Sequence, residues 1–370
     1  MTHPPPPLLI TGARIIDPAT GRDETGDLYT ENGVFAPPPP VLPPGVRRID
    51  ARGLVAAPGL WDIHVHFRDP GAPAAETLAS GAAAAAAGGF TTVVTMPNTS
   101  PACDTPAWIA YQAREDLPVT VLPSACVTRG RAGGEPADLE ALARAGAAAF
   151  TDDGAMVADD AVMAAAMHRI RPLGKVVMEH AVIPAVARSG MIRDCPAARR
   201  LRLPLFPPEA ETGAVARDIR LCRETGCPVH IQHLSCAGSV ALIRAAQAEG
   251  AAVSAEATPH HLALAAEAIP GDDGNYRMNP PLGTRADVAV LRDAVLDGAI
   301  AALATDHAPH TPASKARGFR AAPFGVTGLE TAVGATFGVL VAERGMPLPD
   351  FIARWTTGPA AVLRLPPPAL

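Results

Sequence analysis

The residues of this chain best suited to chemistry are imidazoles and carboxylates that close short apolar runs. His64 and His66, Asn98, Asp152 and Asp153, His180, His233 and Asp306 each stand at or near the end of such a run. His64-Val65-His66 is the sharpest case. On a strand, side chains alternate with period two, so both imidazoles point to the same side. Neutral imidazoles with carboxylates suit Zn²⁺, and a catalytic site must also keep a position open for water. An HxH alone is weak, because two such histidines also occur as ordinary buried polar residues. The context adds weight: Asp62 and Arg68 flank the pair, and Asp306-His307 closes the last run.

Residues spread from position 64 to position 306 can meet only if the elements carrying them open onto one face. The strand candidates are Trp61 to Phe67, Thr91 to Met96, Val119 to Val127, Ala147 to Thr151, Val176 to His180, Val229 to Leu234, Ala252 to Ala257 and Ile300 to Thr305. Between them lie alanine-rich, helix-compatible segments at 74–88, 105–115, 136–146, 158–171, 209–226, 237–249 and 285–297, with 326–343 after the last strand. Eight strand–helix units in series predict a (β/α)8 barrel, an α/β fold whose strands all present their C-terminal ends on the same side. A doubly wound open sheet is the alternative, since alternation does not distinguish closure from an open edge. Residues 1–56 differ, with short β-like pieces (Leu8 to Ile10 with Ala13 to Ile16, Asp27 to Tyr29, Val34-Phe35, Val46 to Ile49) between Gly, Pro and Asn turns. The expected division is a small β domain over 1–56, the barrel over 57–345, and a C-terminal helix with a Pro-rich tail over 346–370.

Composition excludes several classes. With 370 residues, 48% hydrophobic and 18% charged, the chain has material for a large core. Its 40 prolines fall mainly in tracts such as Pro4 to Pro7, Pro37 to Pro40 and Pro366 to Pro368. A net charge of −6 with no Lys/Arg block gives no field for gripping nucleic acid. No run approaches the roughly 20 apolar residues of a membrane span, and Met1 to Leu8 lacks the basic and apolar regions of a targeting signal. The six cysteines form no CxxC pair and read as free thiols of a reducing cytoplasm.

The ordered words of the sequence resemble the dihydroorotases of the amidohydrolase superfamily, specifically the bacterial class with an aspartate bridging the metals. They are Gly59-Leu60-Trp61-Asp62-Ile63-His64-Val65-His66-Phe67-Arg68-Asp69-Pro70-Gly71, Gly88-Gly89-Phe90-Thr91-Thr92, Met96-Pro97-Asn98-Thr99 and Phe150-Thr151-Asp152-Asp153-Gly154. His230-Ile231-Gln232-His233-Leu234-Ser235, Thr258-Pro259-His260-His261-Leu262, Met278-Asn279-Pro280-Pro281-Leu282 and Ala304-Thr305-Asp306-His307-Ala308-Pro309-His310 continue the series, which runs to about Leu365.

The resemblance implies one or two zinc ions. His64, His66 and Asp306 would hold one, His180 and His233 a second, and Asp153 would bridge them. Many relatives bridge with a carboxylated lysine, but the only lysines here are Lys175, early in the fifth strand, and Lys315, beyond the eighth. Asp152 is the alternative bridge, because neighbours on a regular strand face opposite ways. Asp306, ligand and neighbour of the nucleophile, would carry the proton. Arg68, helped by Asn98, Asn279 and His310, would receive a substrate carboxylate. Arg68 as a surface arginine is the weaker alternative, since it stands two residues beyond a histidine of the pair, while from chemistry alone the two asparagines could equally be turn formers beside prolines. His260 and His261 are set aside as structural. Thr311 to Phe324, with Gly318 and Gly325, reads as a mobile loop over the site.

The implied activity is reversible ring closure of N-carbamoyl-L-aspartate to dihydroorotate. A homodimer and an aspartate carbamoyltransferase are the protein partners it suggests. Several positions depart from the family words: Val182 and Ile183 stand where an acidic pair is usual, Gly283 where an arginine is, and Gly358 where an asparagine is. The family's usual C-terminal part is expected to be missing after Leu370, leaving the small sheet with exposed edges and an under-covered apolar face. Another cyclic amidase, of the hydantoinase or allantoinase kind, and a catalytically silent homologue serving as a structural partner are the competing readings.

Overall fold

The computed structural model describes residues 5–370. Pro4 and the start of the segment read for a targeting signal lie outside the described residues. Strand β1 (Leu8–Asp17) pairs antiparallel with β2 (Arg22–Glu31), and β2 carries β3 (Val34–Ala36) on its other edge. β4 (Arg47–Asp50) and β5 (Val55–Ala56) run parallel to β1. The pieces expected at Leu8 to Ile10 and Ala13 to Ile16 are thus one strand, interrupted by a bulge where Gly12 takes a φ of +71°. Ala13, Ile15, Leu28 and Ala51 form the sheet's own small core. The tail after the last helix returns to this core: Leu370 packs against it, and its N–H donates to Asp17 Oδ2 at 3.0 Å. The face expected to be under-covered has this partial cover, and Val34 and Phe35 on edge strand β3 stay exposed.

β6 (Leu60–Val65), β7 (Phe90–Thr95) and β8 (Thr120–Pro123) form one parallel sheet, and β9 (Val177–Glu179), β10 (Val229–Ile231), β11 (Val253–Ala257) and β12 (Ala302–Leu303) another. Phe150 joins them, pairing with Ala125 on one side and Val177 on the other. On the opposite flank Val65 pairs with His307, and the His66 N–H donates to the His307 carbonyl at 2.7 Å. Eight parallel positions therefore close into a ring, the barrel rather than the open sheet. The fourth strand, expected over 147–151, is short but laddered: Ala148 N–H donates to the Pro123 carbonyl at 2.8 Å, Ala125 N–H to the Ala149 carbonyl at 3.0 Å and Thr151 N–H to the Ala125 carbonyl at 2.9 Å. Beyond Thr151 the Asp152 carboxylate takes the N–H groups of Val127 and Thr128 at 2.9 and 3.1 Å, where a longer ladder would run.

Helices fill the expected intervals, from Leu78–Ala87 through Glu209–Thr225 to Arg285–Asp297, and the main core lies between them and the ring. Two regions differ from expectation. The segment 326–343 begins extended, with Val326 paired to His307, and becomes helical only at Ala332. The single C-terminal helix is two, Leu348–Trp355 and Thr357–Leu363, parted by the non-helical backbone of Thr356. Trp355, fully buried, packs edge-on against Phe90 at 5.3 Å, and Val362 and Leu363 pack with Ile63, Val94 and Met178 of the barrel strands. Gly358 has a packing reason: a Cβ there would lie 2.0 Å from the Ala301 carbonyl oxygen. Gly283 is alike, at 2.4 Å from the Ser235 oxygen. Val182 joins Phe206 and Ala210 in an apolar cluster, with Ile183 packed on the main core, so the usual acidic pair is replaced by packing. Among the described residues no helix is long and apolar enough to cross a membrane, and all six cysteines are buried and free.

Candidate metal centre

The strand ends deliver their side chains to one mouth. His66, Arg68, Asn98, Asp153, His180, His233, Asn279, Asp306 and His310 all line a single cavity of about 310 Å³. His64 is fully buried against the same groups, with its ring 5.2 Å from that of His66. All ten residues singled out from sequence are thus brought together.

Asp153 is the centre of the arrangement. Its Oδ1 is 3.4 Å from His64 Nε2 and 3.7 Å from His180 Nδ1, and its Oδ2 is 3.3 Å from His66 Nε2. Two groups could each hold a cation, His64 with His66 and Asp153, and His180 with His233 and Asp153, so this one carboxylate belongs to both. Asp306 Oδ1 completes the first group, 3.0 Å from His66 Nε2 and 3.5 Å from His64 Nε2. Asp152 faces elsewhere and is spent on the backbone and hydroxyl of Thr128 and on Val127. Neither lysine approaches the fourth strand end: the buried Lys315 ammonium donates to the carbonyls of Gly325, Pro323 and Arg277 at 2.6, 3.1 and 3.3 Å.

Local sequence explains how these groups are aimed. Thr151 and Thr305 each accept, at 2.9 Å, the N–H two residues on, a hydroxyl turn that fixes Thr-Asp words at both strand ends. Arg131 Nη2 donates to the Asp153 carbonyl at 2.6 Å and holds that turn from outside. His233 and Asp306 take φ of +35° and +48°, a left-handed backbone that non-glycine residues adopt at a cost and that clusters at functional sites.

A cation fits the donors. Asp153 Oδ1 is buried and lacks a hydrogen-bond partner among the described residues, which is costly unless something positive faces it. Burial, then the nearby His180, pushes His233 down to about 3, and burial likewise lowers His180, so both rings are neutral as metal ligands must be. Burial opposes the charge of Asp153 and of Asp306, but the facing histidines outweigh it and hold both carboxyls below their ordinary range.

Sequence reading missed the partners behind the ligands. Glu256 Oε1 sits 2.6 Å from His64 Nδ1, leaving Nε2 to face the cavity, and its Oε2 is 3.0 Å from His230 Nε2. Asn98 Oδ1 does the same for His66, at 2.9 Å from Nδ1, and Asn279 Nδ2 is 3.0 Å from His180 Nε2. Glu256 stands two residues before the Thr258-Pro259-His260-His261 word, and its place on a strand facing His230 was the available signal. His261, set aside as structural, bonds Thr258 and the Pro280 carbonyl. Arg68 Nε donates to the Pro309 carbonyl at 3.2 Å, which aims the rest of its guanidinium along the cavity wall. His310 Nε2 donates to the Phe324 carbonyl at 2.6 Å, so the 311–324 loop, read as mobile, lies over the site tied by His310 and Lys315.

Solved structures share this architecture. L-hydantoinase from Arthrobacter aurescens superposes with a TM-score of 0.80 at 24% identity, over 96% of this chain and 82% of that one. Dihydropyrimidinase from Brevibacillus agri superposes with a TM-score of 0.79, also at 24% identity, over 96% and 81%. The chain therefore shares the barrel fold of these hydrolases. The Dihydro-orotase-like family profile matches residues 53–239. Dihydroorotase of Pelotomaculum thermopropionicum is 42% identical over 362 residues, 97% of this chain and 85% of that protein. Dihydroorotase of Bacillus caldolyticus is 46% identical over 287 residues, 77% of this chain and 67% of that protein. The chain belongs to the dihydroorotase family of metal-dependent cyclic amide hydrolases.

Proposed function

We propose that this chain catalyses the zinc-dependent, reversible cyclisation of N-carbamoyl-L-aspartate to (S)-dihydroorotate, the ring-forming step of pyrimidine biosynthesis. The observation that carries the reading is the shared Asp153 between two histidine pairs, with Arg68 on the wall of the same cavity. His64, His66 and Asp306 would hold one zinc, His180 and His233 a second, and Asp153 would bridge. When bound, the metal supplies Lewis acidity that polarises a carbonyl and lowers the pKa of a water to about 7.

The chain's own groups do the rest. In ring closure the carbamoyl nitrogen attacks the side-chain carboxyl carbon; the C–N bond forms, a C–O bond breaks and water leaves. Asp306 takes the nitrogen's proton and gives it to the departing oxygen, which, the carboxyl being ionised, takes one further proton from solvent to leave as water. In ring opening it takes a proton from water and returns it to the ring nitrogen. Arg68 presents paired donors to the substrate's remaining carboxylate, with Asn98, Asn279 and His310 around it. Glu256 is a positioning residue, holding the His64 tautomer whose Nε2 faces the reaction. Six free buried thiols agree with a reducing cytoplasm as the place of work.

The test is metal analysis of the purified chain with turnover of dihydroorotate, alone and with an aspartate carbamoyltransferase added. Between one and two zinc equivalents with turnover by the isolated chain is the expected result. Less than a few tenths of an equivalent, with no activity on adding zinc, would sink the reading. Full zinc without turnover in either mixture would instead favour the silent homologue.

A further inference from the structure

A second concavity lies outside the metal centre, in the chain that follows β9. Segments 185–194 and 204–208 run side by side, with Met191 N–H donating to the Pro204 carbonyl at 3.0 Å and Phe206 N–H to the Ile192 carbonyl at 2.8 Å. At Gly190 the two walls touch so closely that a Cβ would lie 2.5 Å from the Leu205 oxygen. Between these walls and Thr284 is a cavity of about 720 Å³, against 310 Å³ at the metal centre, and the two share no lining residue.

Arg193 lines this cavity and is only 3% exposed. Its guanidinium lies 5.6 Å over the Phe206 ring. Nε and Nη2 are buried with no hydrogen-bond partner among the described residues, and no described carboxylate pairs with it. Buried polar groups are nearly always satisfied, and an unpaired buried cation is among the costliest features a fold can carry. The nearby acids are committed: Asp194 to Arg199 at 2.6 Å, Asp287 to Ala237 N–H and to the Thr284 cap, and Glu211 to the Ser235 hydroxyl and the N–H groups of Ser235 and Cys236. Arg188, exposed on the rim, also has no ion pair to a described residue, so two uncompensated cations face apolar walls that include Val186 and Leu205.

We propose that this cavity binds a small organic oxyanion, a carboxylate or phosphate monoester carried on an apolar group. The oxyanion meets Arg193, and the apolar group lies along the wall at Leu205. Nothing in this assignment depends on the reaction at the metal centre.

The probes are benzoate, phenyl phosphate and, as a neutral control, benzamide, titrated calorimetrically into the full chain. One anion per chain should bind saturably with Kd on the order of 1 mM or tighter, and benzamide roughly tenfold or more weaker. Binding should survive Arg68→Met, which silences the carboxylate holder of the metal centre, and fall about tenfold or more in Arg193→Met. Arg188→Gln should lower affinity a few fold. The stronger anion, benzoate or phenyl phosphate, identifies the carboxylate or phosphate source. Because Arg193→Met removes an unpaired buried charge, it should melt no lower than the parent in anion-free buffer. No saturable binding of either anion, loss in Arg68→Met rather than Arg193→Met, or an Arg193→Met variant that melts several degrees lower would each overturn the proposal.

Discussion

The two halves of the metal centre use the same residue types around one carboxylate, yet they are built differently. On the first side, His64 is backed by Glu256 and His66 by Asn98. Burial opposes the charged form of His64, but Glu256, Asp153 and Asp306 overcome it and raise the group well above its ordinary value. On the second side His233 lies against His180, at 2.8 Å between ring nitrogens, and burial drives both rings toward the neutral form. Asn279, a neutral amide, is the partner behind His180. The character of the ligands is thus set less by the histidines than by what stands behind them, an anion on one side and neutral groups on the other. The first half should hold its metal more tightly.

The largest departure from that account would come from Asp153, which both halves share. Asp153→Ala should lose metal from both sides together, with activity falling toward background, whereas Asp152→Asn should keep its metal. A reversed outcome in metal analysis and turnover would move the bridge to Asp152.

Arg68→Met should weaken dihydroorotate turnover by about 2 to 5 kcal/mol in kcat/KM, the scale for a charge-assisted contact left unpaired, with metal content unchanged on both sides. An uncharged cyclic imide should be affected far less. Equal losses on the two substrates would make Arg68 structural and return weight to a hydantoinase-like specificity.

A smaller effect probes the asymmetry itself. Glu256→Gln preserves shape but removes the anion behind His64, and partners of this kind are worth about 10- to 100-fold in metal affinity. Chelator competition should show the first equivalent weakened by that amount and the second little changed. Asn279→Ala should touch only the second. If Glu256→Gln weakens both equally, the halves are not electrostatically distinct.

How much of this was open to reading from the sequence depends on distance along the chain. The aim of His64 and His66 follows from strand alternation, and the convergence of Asp153, His233 and Asp306 follows from the one-sided mouth of a parallel barrel. The choice of Asp153 over Asp152 did not follow, because it depends on the Thr151 turn and on the Val127 and Thr128 donors that claim Asp152. Glu256 escaped for a similar reason: its partners His64 and His230 lie on other strands, and no local pattern marks a carboxylate that works through a neighbour's ring. The left-handed backbone at His233 and Asp306 is invisible to propensity, since even Asp and His, which enter it more often than other non-glycine residues, do so only in a small share of positions. In the fold, regular alternation foretold eight strand–helix units, while closure into a ring rests on the pairing of Val65 with His307. The fourth strand ends at Thr151 because the Asp152 carboxylate takes the next donors on the neighbouring segment, Val127 and Thr128, and the C-terminal helix divides at Thr356, just before the Gly358-Pro359 pair that marks a break in the sequence.

The most direct measurement is turnover and metal content of Asp306→Asn, assayed in both directions. The substitution keeps an oxygen near His66 and nearly the same shape, but removes the proton acceptor. The variant should retain much of its metal while ring closure and ring opening both fall by roughly 10² to 10⁴, the range for a positioned acid–base group. An Asp306→Asn protein that holds its metal and turns over within a few fold of the parent would contradict the account.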